Sequence, residues 1–436
     1  MKHRFLTLLA ILSLPIFASA KDTLDTGDTA WMMISTALVL LMTPAGLALF
    51  YGGMTRSKNV LNTYAMVMGA FVMAFVVWIV AGYSIAFSSN DNEMLQNVFG
   101  GFGNIMLNSV KWTDLSSVGA FPEFVFIAFQ GTFAAITVAI ASGSVIGRMK
   151  FSTWMIIVVL WGLLVYAPIV HMVWGGGFLM GDGTLDFAGG TVVHMNGGLA
   201  GLVLAILVGK RAGYNKIPMK PYSILLTAVG AALLWFGWYG FNGGSAFGAN
   251  AIAGLAVMTT TIATAVAGVT WMLLEWFIYK KPTLLGIASG IIAGLVSITP
   301  AAGFVGVGGA FILGIIGAII AFFGVVSLKK KLGYDDSLDA FGIHFLAGLW
   351  GALATAFLAL DDKELLWDGP LKESGDRMGQ FMIQLESVVV VGLWTLVGTV
   401  AVYYIASAMT NGARVDAETE HNGLDETIHG ETVTNA

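Results

Sequence analysis

Asp186-Phe-Ala-Gly-Gly-Thr-Val-Val-His194, followed by Gly197, Gly198 and Gly201, has a second version in Asp336 to His344, followed by Ala347, Gly348 and Gly351. In each, an Asp precedes a His by eight positions, and small residues follow the His at plus three, four and seven. The stretches fall in the fifth and tenth of about eleven apolar segments, near 30–52, 61–87, 121–147, 152–175, 188–209, 222–242, 251–279, 283–300, 304–327, 338–360 and 380–410. Five is an odd offset, so a chain that crosses a membrane with each segment runs the two copies in opposite directions. Such inverted repeats place substrate sites near the bilayer midplane, at the repeat interface. Phe50-Tyr-Gly-Gly53 and Phe241-Asn-Gly-Gly244 form a second echo, in segments one and six.

Composition agrees with a membrane chain. Of 436 residues, 57% are hydrophobic and 11% charged, and the mean hydropathy is +0.82. Soluble domains carry about 25% charged residues, so a water-soluble enzyme and a disordered chain are both excluded. With no cysteine there is neither a disulfide scaffold nor thiolate metal chemistry. A net charge of −5 gives no basic excess for nucleic acid. The expected fold is an all-α polytopic membrane protein of about eleven helices, two inverted five-helix repeats and a final helix.

Residues 1–20 have the three parts of a cleaved secretory signal: Lys2 and Arg4, an apolar run from Phe5 to Phe17, and Ala18-Ser19-Ala20 before Lys21. The run is shorter than the roughly 20 residues needed to span a bilayer. A membrane domain over 21–410 and a polar tail over 411–436 follow. Of the 21 Lys and Arg, fourteen fall on one alternating set of links and five on the other, with two in the signal and none inside a span. Basic loops face the cytoplasm, so the N-terminus is expected outside and the C-terminus inside.

If Asp186 and Asp336 cap their helices, eight residues carry each His about 12 Å inward, against a hydrocarbon half-thickness of about 15 Å. His194 and His344 then approach the midplane from opposite faces and can touch. Ionisable groups inside a membrane usually face a path or a partner. His171 has no symmetric counterpart and reads as structural, while Glu275, Glu386 and Asp339 read as capping or interhelical groups. Asp186 has two compatible readings, a helix cap and a vestibule group that favours an approaching cation. Phe129-Gln-Gly-Thr-Phe133 lies in segment three, Trp174-Gly-Gly-Gly177 ends segment four, and Trp238-Tyr-Gly-Phe241-Asn-Gly-Gly-Ser245 ends segment six. Interfacial Trp commonly forms an aromatic belt, but a glycine run after each Trp suggests irregular backbone lining a cavity. Trp and Phe faces bind cations, and a hydroxyl such as Ser245 completes a small monovalent cation site.

These residues resemble the ammonium transporter family (Amt/Mep/Rh), on its bacterial Amt branch. The most specific part runs from Asp186 through His194 to Gly209-Lys-Arg211, and Ala128-Phe-Gln-Gly-Thr-Phe133, His171-Met-Val-Trp-Gly-Gly-Gly177 and Phe341-Gly-Ile-His344 look like family segments as well. Thr132 stands where Ser is common, and Gly197-Gly198 where Ala often occurs. The resemblance implies an eleven-helix protomer in a homotrimer of the bacterial inner membrane, with a pore in each protomer and no cofactor or metal. It places an outer recruitment site at Trp174, Phe133, Trp238 and Ser245, gating rings at Phe133 and Phe241, a pore and proton relay at His194 and His344, and the family's aspartate at Asp186. The tail segment Gly423-Leu-Asp-Glu-Thr-Ile-His-Gly430 also resembles the family, whose bacterial members dock a PII signalling protein on the cytoplasmic face.

Carrying an unpaired ion through a narrow apolar passage costs many kcal/mol. Desolvation favours the neutral base, so ammonium is expected to lose its proton beyond the rings and cross as ammonia. Two His in contact can pass the proton separately. Potassium and sodium have no proton to lose and are excluded. The rival reading is an ammonium sensor of the same fold with little flux. Fused signalling domains would favour it, whereas only a short tail is expected here.

Overall fold

The computed structural model describes residues 23–433; the expected signal at 1–20 lies outside the described residues. Among the described residues, eleven apolar helices form: α1 Thr26–Met54, α2 Ser57–Phe87, α3 Glu123–Ser142, α4 Phe151–Gly181, α5 Gly190–Val208, α6 Ile224–Gly244, α7 Ala251–Tyr279, α8 Leu284–Ile298, α9 Val307–Leu332, α10 Phe341–Leu358 and α11 Arg377–Met409. Ten are long and apolar enough to cross a membrane, and α8 is the shorter exception. It ends at Ile298 because Pro300 has no N–H to continue the ladder. Among the described residues, β structure is limited to isolated bridges.

Packing shows the inverted repeat directly. A Cβ on Gly348 would lie 2.8 Å from Gly190 O, and one on Gly198 2.5 Å from Phe345 N. The partner numbers fall on α10 as they rise on α5, so these helices are antiparallel. In the same way, Gly230 of α6 meets Gly46 and Phe50 of α1, while Gly240 meets Ser35. Equivalent helices of the two halves therefore pack on each other at close range, which only small residues permit. The symmetry extends to part of the backbone ladder, since wide turns in α1 at Met42–Leu47 and in α2 at Trp78–Gly82 have no counterpart in α6 and α7. Wide turns with i→i+5 bonds interrupt α4 at Gly162–Tyr166 and α9 at Gly324–Leu328, and open α5 at Gly190–Met195 and α10 at Phe341–Phe345. Such turns are uncommon and frequently mark functional positions.

The tail is docked along its described length. Val415 N–H donates to Arg148 O (3.0 Å) and Lys150 N–H to Ala413 O (2.9 Å). The short helix α12, Ala417–Asn422, places Glu420 where one carboxylate oxygen accepts from Ala212 N–H (2.6 Å) and the other pairs with Arg414 (2.7 Å). Asp425 then accepts from Asn62 N–H near the start of α2 (2.8 Å).

Arg148 stands under this contact, fully buried. It donates to Gly209 O (2.7 Å), Ser337 Oγ (2.7 Å) and Asp335 O (2.5 Å), joining the α3–α4, α5–α6 and α9–α10 links. Burial lowers Arg148 to about 10, with Asp335 opposing that shift, so it stays charged at neutral pH. Its planar fork serves three acceptors that an ammonium cannot match in direction. Arg148→Ala is expected to cost about 3–5 kcal/mol, and Arg148→Lys to recover only part. Thermal unfolding in detergent, with the two variants ranked below the parent in that order, checks this.

Candidate functional site

The site begins with the two aspartates. Asp186 Oδ1 accepts from Gly189 N–H (3.2 Å), and Oδ2 from the N–H groups of Thr191 and Val192 (3.0 Å each). Asp336 Oδ2 accepts from Phe341 N–H at 2.8 Å. Three residues after each Asp the backbone turns left-handed, at Gly189 (φ 105°) and Asp339 (φ 62°). Only glycine takes such a turn freely, with Asp among the few side chains that tolerate it, and here Asp339 also pairs with Lys329 of α9 (2.6 Å). Asp186 is fully buried and does not line the cavity formed by Trp174, Ser245 and Gln130, so of its two expected readings the geometry supports the cap.

Each cap starts a helix that carries its His inward, and the two imidazoles meet. His194 Nδ1 and His344 Nδ1 are 3.2 Å apart, and the rings are nearly parallel with centroids 5.4 Å apart. One Nδ1 holds the proton and the other accepts it. His194 is fully buried, and its Nε2 has no hydrogen-bond partner in the protein. A Cβ on Gly348 would also lie 3.2 Å from His194 Cβ, so this glycine sets the separation of the pair. Gly348→Leu is expected to lower stability by about 1–3 kcal/mol and to remove transport, read by thermal unfolding and ammonium flux on the same preparation.

Beside the His pair, aromatic rings are stacked toward one end of the molecule. His194 lies parallel to Trp238 (5.2 Å) and to Phe241 (5.7 Å). Phe241 stacks on Phe133 at 4.2 Å, and Phe133 meets Trp174 edge-on at 6.3 Å. Beyond Phe133 a cavity of about 500 Å³ opens, lined among others by Trp174, Ser245, Phe126 and Gln130. Trp174 is held by its Nε1–H, which donates to Asp186 O (2.9 Å). Ser245 donates to Phe241 O (2.8 Å), which leaves its oxygen lone pairs for a donor from the cavity. Phe133 and Phe241 are at most 1% exposed, so two stacked rings stand between the cavity and His194.

Trp174, Phe133 and Ser245 thus come together, but Trp238 departs from the outer site expected of it. It is 1% exposed, donates from Nε1 to Thr299 Oγ1 (2.9 Å), and lies on the inner side of Phe241. Seven residues of helix separate Trp238 from Ser245, about 10 Å of depth, so the two cannot share one small site.

The other polar groups are accounted for locally. Both ring nitrogens of His171 face backbone oxygens, Ala86 O (2.9 Å) and Gln96 O (2.7 Å), in the structural role expected. Glu275 accepts from Thr283 N–H (2.6 Å) at the start of α8. Glu386 differs from the expected capping or interhelical role within the chain, since it is exposed on the surface of α11. Glu123, Phe126, Gln130 and Phe247 also line the cavity and were not anticipated as site residues. The three on α3 have a signal, since spacings of three and four put them on the face that carries Phe133. Phe247 sits at a positive φ in a loop and has none.

Comparison with known proteins identifies the family and the fold. The model of the Ammonium Transporter Family matches residues 30–434. An "Ammonium transporter" of Aquifex aeolicus is 45% identical over 435 residues, covering 98% of each chain. Among solved structures, Saccharomyces cerevisiae Mep2 superposes with a TM-score of 0.82 at 34% identity, over 91% of this chain and 90% of that one. A protein described as "Sensor Amt Protein" superposes with a TM-score of 0.83 at 27% identity, over 92% and 98%.

Proposed function

We propose, for a chain that belongs to the ammonium transporter family, that it recruits ammonium in the outer cavity, strips its proton at the Phe133–Phe241 stack and conducts ammonia past His194 and His344. The observation that carries this reading is the His pair, in contact at 3.2 Å behind two stacked rings. Ammonium approaches the faces of Trp174 and Phe133, which attract cations, and donates an N–H to Ser245 Oγ. Going further strips its water in a passage without a counter-charge, and the neutral base becomes the favoured form. Ammonia is small and neutral, and it can donate to or accept from an imidazole nitrogen such as the unpartnered His194 Nε2. The shared Nδ1 proton gives the released proton a route separate from the ammonia.

The bias of basic residues supports a periplasmic N-terminus, once the signal at 1–20 is removed, and a cytoplasmic tail in a bacterial inner membrane. Tail and basic links form one surface, where a PII-type protein would dock, and the working unit is a homotrimer. The second reading is a sensor, favoured by the likeness to the sensor protein. Purified protein in liposomes decides between the two: an ammonium or methylammonium gradient drives saturable current in a transporter, while a sensor binds ammonium with little flux.

A further inference from the structure

Glu123, Phe126, Gln130 and Phe133 all line the outer cavity and all lie on α3. Their spacings of three, four and three keep them on one face of the helix, and they descend about 15 Å from the mouth to the gate. Read inward, the face is acceptor, ring, acceptor, ring. Tyr83 OH donates to Glu123 Oε1 and the Ser116 hydroxyl lies beside the same carboxylate, while Glu123 Oε2 and Gln130 Oε1 are buried with no hydrogen bond from the protein. The opposite wall carries a second carboxylate, Asp368, but that one is paired with Lys372 at 2.9 Å. Among the charged residues that line the cavity, Glu123 therefore has the negative charge that no cation of the protein offsets.

We propose that Glu123 and Gln130 are the two acceptor rungs by which a partly hydrated ammonium descends to the gate, with Glu123 setting the affinity for the cation. The proposal rests on the ammonium reading above. Ammonium has four N–H donors, and each water it sheds on the way in leaves one of them unpaired. A ring face compensates for charge but accepts only weakly, so rings alone cannot replace lost water. An acceptor before each ring can: Glu123 Oε2 ahead of Phe126, then Gln130 Oε1 ahead of Phe133. Tying Tyr83 to the head of α3 uses only Oε1 and is compatible with this role. Gln at position 123 keeps an oxygen for Tyr83 and loses only the charge, so the two roles separate by substitution.

The test is the ammonium dependence of current in liposomes, together with the ammonium-dependent thermal shift of the same protein in detergent. Glu123→Gln is expected to raise the half-saturating ammonium concentration about tenfold, the effect of one partly screened charge at contact, with maximal current within about twofold. Glu123→Asp should recover most of the affinity. Raising ionic strength should weaken the parent more than Glu123→Gln, a dependence that a purely structural carboxylate would not produce. Gln130→Leu should raise half-saturation as well, without altering the salt dependence. A half-saturation in Glu123→Gln equal to the parent's at low ionic strength overturns the proposal. If the parent carries no current, the transport reading fails separately, and the thermal-shift titration still decides whether Glu123 holds ammonium.

Discussion

Ammonium-driven current in liposomes is expected to disappear when His194 and His344 are both replaced by Ala. Both imidazoles are buried, and His194 lies against the rings of Trp238 and Phe241. Without the imidazoles, neither ammonia nor a proton has a hydrogen-bonding group at this depth, and charge in such surroundings is costly. Proton transfer by a positioned side chain is worth on the order of 10²–10⁴ in rate, so current should fall at least a hundredfold, below detection. Each single Ala variant should lose the charge-coupled current as well, because the 3.2 Å contact needs both rings. Undiminished current in the double variant would remove the relay role. The double variant should remain folded, since the capping bonds of Asp186 and Asp336 are made to backbone groups, and thermal unfolding checks that.

The second large effect is expected at Asp186, on stability. Its carboxylate accepts three backbone N–H groups in a fully buried position. In Asp186→Ala these donors lose their partner where water cannot replace it, at about 1–3 kcal/mol for each unsatisfied group. Together they amount to roughly 3–6 kcal/mol once the start of α5 relaxes. The wide turn over Gly190–Met195 opens with those groups, so His194 should lose its place as well. Asp336→Ala removes the symmetric cap but only one such bond, to Phe341, and should cost about a third as much. Unfolding temperatures in one detergent test that ranking. Equal losses at the two positions would mean that the caps do not act through these bonds.

That contrast also shows what the sequence could convey. The Asp-to-His spacing and the small residues after each His carry the repeat, its inverted sense and the meeting of the two imidazoles. Helix rise and membrane thickness alone put both rings near the midplane. The apolar segments locate all eleven helices to within a few residues, because charge is nearly confined to the links. Trp238 shows where such reading stops. A motif orders residues along a helix, but depth depends on where the helix ends, and α6 runs to Gly244 with Ser245 at its end. That leaves Trp238 two turns below the cavity.

Other features had little or no signal. The wide turns in α4, α5, α9 and α10 begin at Gly or Phe and follow no spacing that marks them in the sequence. The docked tail hangs on single polar residues, such as Asp425 to Asn62 and Glu420 to Ala212. Each partner lies hundreds of positions away, and one pairing of that kind leaves no periodicity. Arg148 was legible only as one more basic residue in a link, although it is the buried joint of three links.

The central claim is that the passage rejects the ion and conducts its conjugate base. Purified protein in liposomes, challenged in turn with ammonium, methylammonium and potassium gradients under a controlled membrane potential, tests it most directly. The account predicts saturable current with ammonium and methylammonium, none with potassium, and loss of the ammonium current in the His194→Ala/His344→Ala variant. Potassium current of comparable size, or ammonium binding with no flux in the parent protein, would contradict it.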